Sequence, residues 1–170
     1  MTLVDNNVLS SLAKIERLDL LAAVFDEVAT TPAVLDELHS DSVAGYVFVD
    51  RIDDLKSYNG GWLRVRSPTD DELALTDDIV DETLSFTDAE CLAVAERRSE
   101  RLLTDDAHLG TIAVQRGTTE VWDLLLFLET CVTDDHVETQ DEMSTLLADL
   151  QAEDNYRFAQ SDTERLYDSL

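Results

Sequence analysis

Acidic residues carry the chemistry legible in this chain. Asp5 closes the apolar run Thr2-Leu3-Val4-Asp5, and Glu37 lies in Pro32-Ala33-Val34-Leu35-Asp36-Glu37-Leu38. Asp88 follows Phe86-Thr87, and the pair Asp105-Asp106 follows Leu102-Leu103-Thr104. Carboxylates gathered at one edge of a sheet repel one another unless cations sit between them, and hard oxygen donors suit Mg2+ or Mn2+. An ion held there lowers the pKa of its bound water and steadies charge on phosphate oxygens. The chemistry such a cluster serves is metal-dependent phosphodiester cleavage. Each acid also has a plain structural reading. Asp5 and Asp106 can cap helices, Asp88 can complement a helix dipole, and Glu37 can be a solvated helix residue.

The elements that must position these acids alternate between short apolar runs and helical periods. Residues 2–5 read as a strand, 8–21 as one or two helices, and 28–30 as a second strand. Thr31 offers an N-cap with Pro32 at the first helical position, opening a helix to about His39. The apolar run 43–49 predicts a helix, with another piece before Tyr58, and Asn59-Gly60-Gly61 marks a turn. Trp62 to Arg66 alternates like an edge strand, and a helix is expected over 70–82 with Leu73, Ile79 and Val80 buried. Thr87 is expected to cap a helix from Asp88 to Arg98, with Glu90 facing outward. A strand over 101–104, a helix over 106–116 ending at Gly117, a strand over 118–121 and an apolar helix over 123–132 follow. Helical segments near 139–151 and 161–170 finish the chain. Short strands alternating with helices predict a three-layer α/β/α fold on a short, mostly parallel sheet of four or five strands. The whole chain reads as one domain, with 133–170 as a C-terminal helical extension. In such sheets the site lies beyond the carboxyl ends of the strands.

The charge balance narrows the setting. The chain of 170 residues carries a formal charge of −26 from 24 Asp, 14 Glu, 10 Arg and two Lys. Apolar runs at helical spacing argue against disorder despite that charge. The composition reads as a cytoplasmic protein of a salt-in halophile, where molar salt shrinks the screening length to about 3 Å. Asp-Asp occurs five times, so only position relative to strands promotes the pair at 105–106. Cys91 and Cys131 read as small core residues, and His39, His108 and His136 as surface. No apolar run has membrane-spanning length, which predicts no membrane partner. Arg64 with Arg66, or Arg97, Arg98 and Arg101, read equally as the lining of a nucleic-acid groove and as isolated counter-charges in an acidic surface. Trp62 and Tyr58 read first as packing residues, with stacking on bases as the alternative.

In this order the blocks resemble the PIN-domain ribonuclease family over nearly the whole chain. Leu3-Val4-Asp5-Asn6-Asn7 is similar to its opening strand with the first metal-site acid, and Pro32 to Leu38 to its second block, whose acid falls on Glu37. Thr87-Asp88-Ala89-Glu90-Cys91-Leu92-Ala93 resembles the third, with Asp88 as its acid, and Leu102-Leu103-Thr104-Asp105-Asp106 the fourth, with Asp106. The resemblance departs at Ala107-His108-Leu109, where a basic residue is expected.

The resemblance implies a PIN-like fold and a Mg2+- or Mn2+-dependent endoribonuclease acting on an RNA substrate. It implies Asp5, Asp88 and Asp106 as direct ligands, Glu37 as binding through water or orienting the attacking water, and Asp105 as a substitute or supporting partner. Thr104 and Asn6 are placed to orient the carboxylates. The toxin-like branch implies an antitoxin protein as partner, received on residues 8–21 or 40–58. A homodimer through the helix at 123–132 or the final helix is a further expectation. The alternative within the fold is a catalytically inactive PIN-like binding or regulatory protein. A receiver-type domain also gathers Asp at strand ends, but it needs a late Lys, and Lys14 and Lys56 are both early.

Overall fold

The computed structural model describes residues 1–40, 45–80, 83–117 and 120–170. Its centre is a sheet of five parallel strands in the order β3-β2-β1-β4-β5. The strands are short: β1 (Thr2–Val4), β2 (Val28–Thr30), β3 (Arg64–Val65), β4 (Arg101–Leu103) and β5 (Val121–Trp122). Helices flank the sheet, as expected of a three-layer α/β/α fold, and every pairing is parallel rather than merely most of them. Leu3 sits between Ala29 and Leu102 in register, and successive residues of β1 are all buried, so the central strand is covered on both faces. A receiver-type sheet has strand order 2-1-3-4-5, so the observed order rules that rival out.

The order matters for the site. Counting outward from β1, the chain runs one way through β2 and β3 and the other way through β4 and β5. The switch falls between β1 and β4, where α/β sheets open a crevice. Asp5, Thr31, Thr104 and Asp123 each follow their strand at this carboxyl edge.

The helices are α1 (Asn6–Lys14), α2 (Asp19–Val24), α3 (Pro32–Leu38), α4 (Val47–Leu55) and α5 (Asp70–Ile79). They continue with α6 (Phe86–Arg98), α7 (Ala107–Arg116), α8 (Leu124–Thr133), α9 (Gln140–Asp154) and α10 (Gln160–Asp168). Thr31 caps α3 with Pro32 in its first turn, and Gly117 closes α7 in the left-handed region at φ 67°, both as the sequence predicts. Met143, Leu146, Leu150 and Leu166 from the last two helices join the apolar cluster that holds Leu3, Leu102 and Leu103.

Several expectations are corrected. The helix expected over 43–49 runs instead from Val47 to Leu55 where described; residues 41–44 lie outside the described residues. Its buried face is Phe48, Val49 and Ile52, so the amphipathic stripe and not the apolar run sets its frame. The helix expected over 70–82 ends at Ile79, with residues 81 and 82 outside the described set. In it Leu73 is 37% exposed, because the buried stripe is Glu72, Leu75, Thr76 and Ile79. Thr87 is not a cap: Ser85 caps α6 by accepting the Asp88 N–H at 3.1 Å, which draws Thr87 into the first turn. Glu90 is buried rather than outward. The last strand is Val121–Trp122, with residues 118 and 119 outside the described residues.

The turn before β3 depends on one glycine. A side chain on Gly61 would place its Cβ 2.1 Å from the Leu55 carbonyl oxygen, a contact no residue other than glycine permits. That close approach lets Leu63 pair beside Lys56 and feed β3 onto the sheet edge.

Candidate active site

Asp5 is the most constrained of the acids. It is 1% exposed, and its backbone N–H donates to the Leu103 carbonyl at 3.2 Å, fixing it beside the end of β4. Its Oδ1 accepts the Val8 N–H at 2.9 Å as the cap of α1, and its Oδ2 accepts the Thr104 hydroxyl at 2.6 Å. Burial pushes its carboxyl up to about 7, the two hydrogen bonds oppose that rise, and the charges of Asp88 and Asp105 add to it.

Thr104 extends the link, accepting the Asp106 N–H at 3.1 Å. Asp106 turns its own Oδ1 inward to cap α7, taking the N–H groups of His108 and Leu109 at 2.7 and 2.9 Å. Asp105 is half-buried and accepts the Tyr156 hydroxyl at 2.9 Å. Burial raises its carboxyl, the hydrogen bonds from Tyr156 and from the Leu124 backbone hold it down, and Asp123 and Asp106 raise it further. Asp88 sits in the first turn of α6, where its Oδ2 accepts the Ser85 hydroxyl at 2.6 Å.

The structure therefore brings Asp5 into the field of Asp88 and Asp105, and Asp105 into that of Asp106 and Asp123. Glu37 is exposed in the last turn of α3, and among the described residues no hydrogen bond or ion pair joins it to the other acids. The end of α3 that meets the site is its first turn, where the Ala33 N–H donates to Glu90 Oε1 at 3.2 Å. Glu90, 4% exposed, thus fastens α6 to α3. Cys91, one residue on, has its thiol pushed well up by burial, with Asp5, Asp88 and Glu90 adding to the effect. It is a core residue, as is Cys131.

The family model DUF3368, a PIN domain, matches residues 1–169. The chain belongs to the PIN-domain family. No curated protein matches it.

PIN domains are nuclease-type folds that generally use divalent metals, and the donors here suit such an ion. All are carboxylate oxygens, and the most buried of them sits in a field of like charge that a cation relieves. Among the described residues no three His, Cys, Asp or Glu side chains stand close enough to share one ion.

Sequence reasoning missed Asp123. It follows β5 directly, caps α8 by accepting the Leu126 N–H at 2.8 Å, and adds to the field at Asp105. Its signal was available: an Asp between a short apolar pair and a strongly apolar helix. A cavity of about 760 Å3 beyond β4 and β5 has Thr104, Asp105, Asp106, Asp123 and Tyr156 in its walls.

Most of the cationic candidates lie elsewhere; Arg66 directly follows β3, and its guanidinium reaches Met1 Sδ at 3.3 Å. Arg64 pairs with Glu27, Arg98 with Glu72 and Arg101 with Glu120. Arg101 opens β4, and Arg97 and Arg98 end α6, which places them away from the edge that holds Asp5 and Asp88. Tyr58 is 67% exposed with the Lys56 ammonium 5.2 Å from its ring centre. Among the described residues no helix is long and apolar enough to cross a membrane.

Proposed function

We propose that this PIN-domain protein is a Mg2+- or Mn2+-dependent endoribonuclease that hydrolyses RNA phosphodiester bonds, with Asp5, Asp88 and Asp106 as its core acids, Asp105 supporting them and Glu37 acting through water. The observation that carries the reading is the buried Asp5 carboxylate, held by Thr104 and Val8 in the field of Asp88 and Asp105. A carboxylate so placed costs stability unless a cation joins it. A bound divalent ion would supply an activated water and neutralise charge on the scissile phosphate. The chain's own part is to orient oxygens. Thr104 fixes one Asp5 oxygen and ties the Asp106 backbone to it, while Ser85 fixes one oxygen of Asp88.

Labelled RNA incubated with Mn2+ or Mg2+ in molar KCl should be cut by the wild type and left intact by Asp5→Asn and Asp88→Asn. Equal cleavage by all three would trace the activity to a contaminant. A second reading, a catalytically inactive PIN-like binding protein, draws on the absence among the described residues of three closely set ligands. The same assay separates the two, because an inactive binder retains RNA without cutting it.

The toxin-like setting belongs to the same proposal, together with a halophilic cytoplasm suited to a charge of −26. An antitoxin needs an apolar surface. Tyr46 and Val47 are 59% and 65% exposed, and with Ile15 and Phe48 they line a cavity of about 940 Å3. These residues fall within the stretches 8–21 and 40–58, of which 41–44 lie outside the described residues. Leu126, exposed on α8, marks the face available to a homodimer. Co-expression with the neighbouring open reading frame, followed by sizing, tests both partners.

A further inference from the structure

The hydroxyl of Tyr156 donates to Asp105 Oδ1 across a separation of 51 residues. Tyr156 lies outside every sequence block that points to the site. Three contacts put it there. Asp154, in the last turn of α9, accepts from the Ser11 hydroxyl and pairs with the Lys14 ammonium, both on α1. Arg17, just beyond α1, reaches Glu142 near the start of α9 at 3.4 Å. The long helix is thereby tied to the short one that Asp5 caps. Asn155 then closes α9 in the left-handed region at φ 54°, a conformation Asn tolerates better than most residues. The Tyr156 N–H returns to the Leu150 carbonyl at 3.1 Å, which swings the next side chain back toward the sheet edge. The ring is half-buried, 4.8 Å from that of Phe158, and forms part of the wall of the cavity that holds Asp105, Asp106 and Asp123.

We propose that Tyr156 is a positioning residue of the site: its hydroxyl, delivered by the α9 turn, orients the Asp105 carboxylate toward a divalent ion in the cavity that Asp105 lines with Asp106 and Asp123. The inference rests on the nuclease reading and adds to it a residue from the last two helices. A carboxylate free to rotate loses ligand geometry, and partners that orient ligating carboxylates typically contribute about 10- to 100-fold in metal affinity. Phe at this position removes the donor while keeping the ring and its contact with Phe158. Any loss is then traceable to the hydrogen bond rather than to packing.

The test compares wild type, Tyr156→Phe, Asp105→Asn and the double variant, using Mn2+ alone as the probe. Free Mn2+ is followed by its electron paramagnetic resonance signal in molar KCl without RNA, beside thermal denaturation in EDTA. Tyr156→Phe is expected to weaken Mn2+ binding about 10-fold or more with little change in melting temperature. The double variant is expected to bind no more weakly than Asp105→Asn alone, because the hydroxyl acts only through that carboxylate. In cleavage assays the Tyr156→Phe defect should appear as a raised Mn2+ requirement and shrink at saturating Mn2+. Wild type that binds no Mn2+ overturns the nuclease reading and this inference with it. Wild-type and Tyr156→Phe proteins of equal Mn2+ affinity overturn the inference and leave the nuclease reading standing. Additive losses in the double variant likewise overturn it, since Tyr156 would then act independently of Asp105.

Discussion

Thr104 donates its hydroxyl hydrogen to Asp5 Oδ2 at 2.6 Å and accepts the Asp106 N–H at 3.1 Å, so one buried side chain couples acids 101 residues apart in sequence. Removing that hydroxyl leaves an oxygen of a buried carboxylate without its donor and frees the start of the loop before α7. Thr104→Val should cost about 1–3 kcal/mol of stability and lower RNA cleavage by about 10-fold or more, whereas Thr104→Ser should retain most of both. Chemical denaturation and single-turnover cleavage read the two effects. A Val variant as active as wild type would show that Asp5 needs no orienting partner.

Asp5 carries a charge the fold alone does not welcome. It is buried, its pKa is pushed up to about 7, and the carboxylates Asp88 and Asp105 add to that rise. Because the folded pKa is raised, ionising Asp5 destabilises the fold once pH exceeds the unfolded value, so Asp5→Asn should melt higher than wild type in EDTA at neutral pH, while losing the stabilisation that Mn2+ gives the wild type. The amide oxygen still accepts one of the two hydrogen bonds. Melting curves with EDTA and with Mn2+ give the four values needed. An Asn variant less stable than wild type under both conditions would mean that the carboxylate serves the fold rather than an ion.

Glu72 makes the opposite electrostatic case. It is 3% exposed, and Arg98 grips both its oxygens at 2.6 and 2.8 Å. The Thr69 N–H also donates to Oε2 at 2.7 Å in a capping box. Arg98 is the main reason its carboxyl lies below the usual range, with burial opposing and the Thr69 contacts helping. Because the folded pKa is depressed, the stabilisation is full above the unfolded value of about 4.3 and lost as pH falls through the folded value. Glu72→Gln should cost roughly 2–3 kcal/mol near neutral pH and flatten the loss of melting temperature in acid. A Gln variant whose acid profile overlays the wild type would remove Glu72 from the account of acid unfolding.

How much of this was legible depends on whether one residue type carried the signal. Thr31-Pro32 and Gly117 mark helix ends through their own backbone preferences, and both ends fall where expected. The central strands are covered on both faces, so runs such as Leu102-Leu103 announce themselves. Legibility fails where a charged residue takes a buried position because a distant partner neutralises it or uses its oxygen. Glu72 enters the buried stripe of α5 in place of Leu73 because Arg98 waits on α6. Glu90 turns inward because the first turn of α3 has an N–H to give. Asp5 and Asp105 were recognisable from what precedes them, but Tyr156 was not, since no local pattern announces a contact made across the fold. Among so many Asp residues, Asp123 was lost for want of contrast.

The charge predicts a salt requirement. Self-repulsion from a net −26 grows as screening weakens, while buried pairs such as Glu72 with Arg98 are screened far less than surface charges. Dialysis from molar KCl into dilute buffer should lower the melting temperature and erode far-UV circular dichroism, reversibly on restoring salt. A melting temperature independent of KCl would oppose the halophilic setting without touching the site.

Asp123 offers a clean separation of structure from function. Its carboxylate caps α8 through the Leu126 N–H at 2.8 Å, a role Asn performs about as well as Asp. Its negative charge adds to the field at Asp105, a role Asn cannot perform. Asp123→Ala should lose about 1 kcal/mol with the cap, and Asp123→Asn should keep wild-type stability. If Asp123 serves the site, the Asn variant will need several-fold more Mn2+ for half-maximal RNA cleavage, as loss of a supporting carboxylate implies. Because Asp123 is exposed and faces the same cavity as Asp105 and Asp106, the change should be felt by the ion and not by the core. An Asn variant with the wild-type Mn2+ requirement would confine Asp123 to capping and set the limit of the acidic site at Asp105.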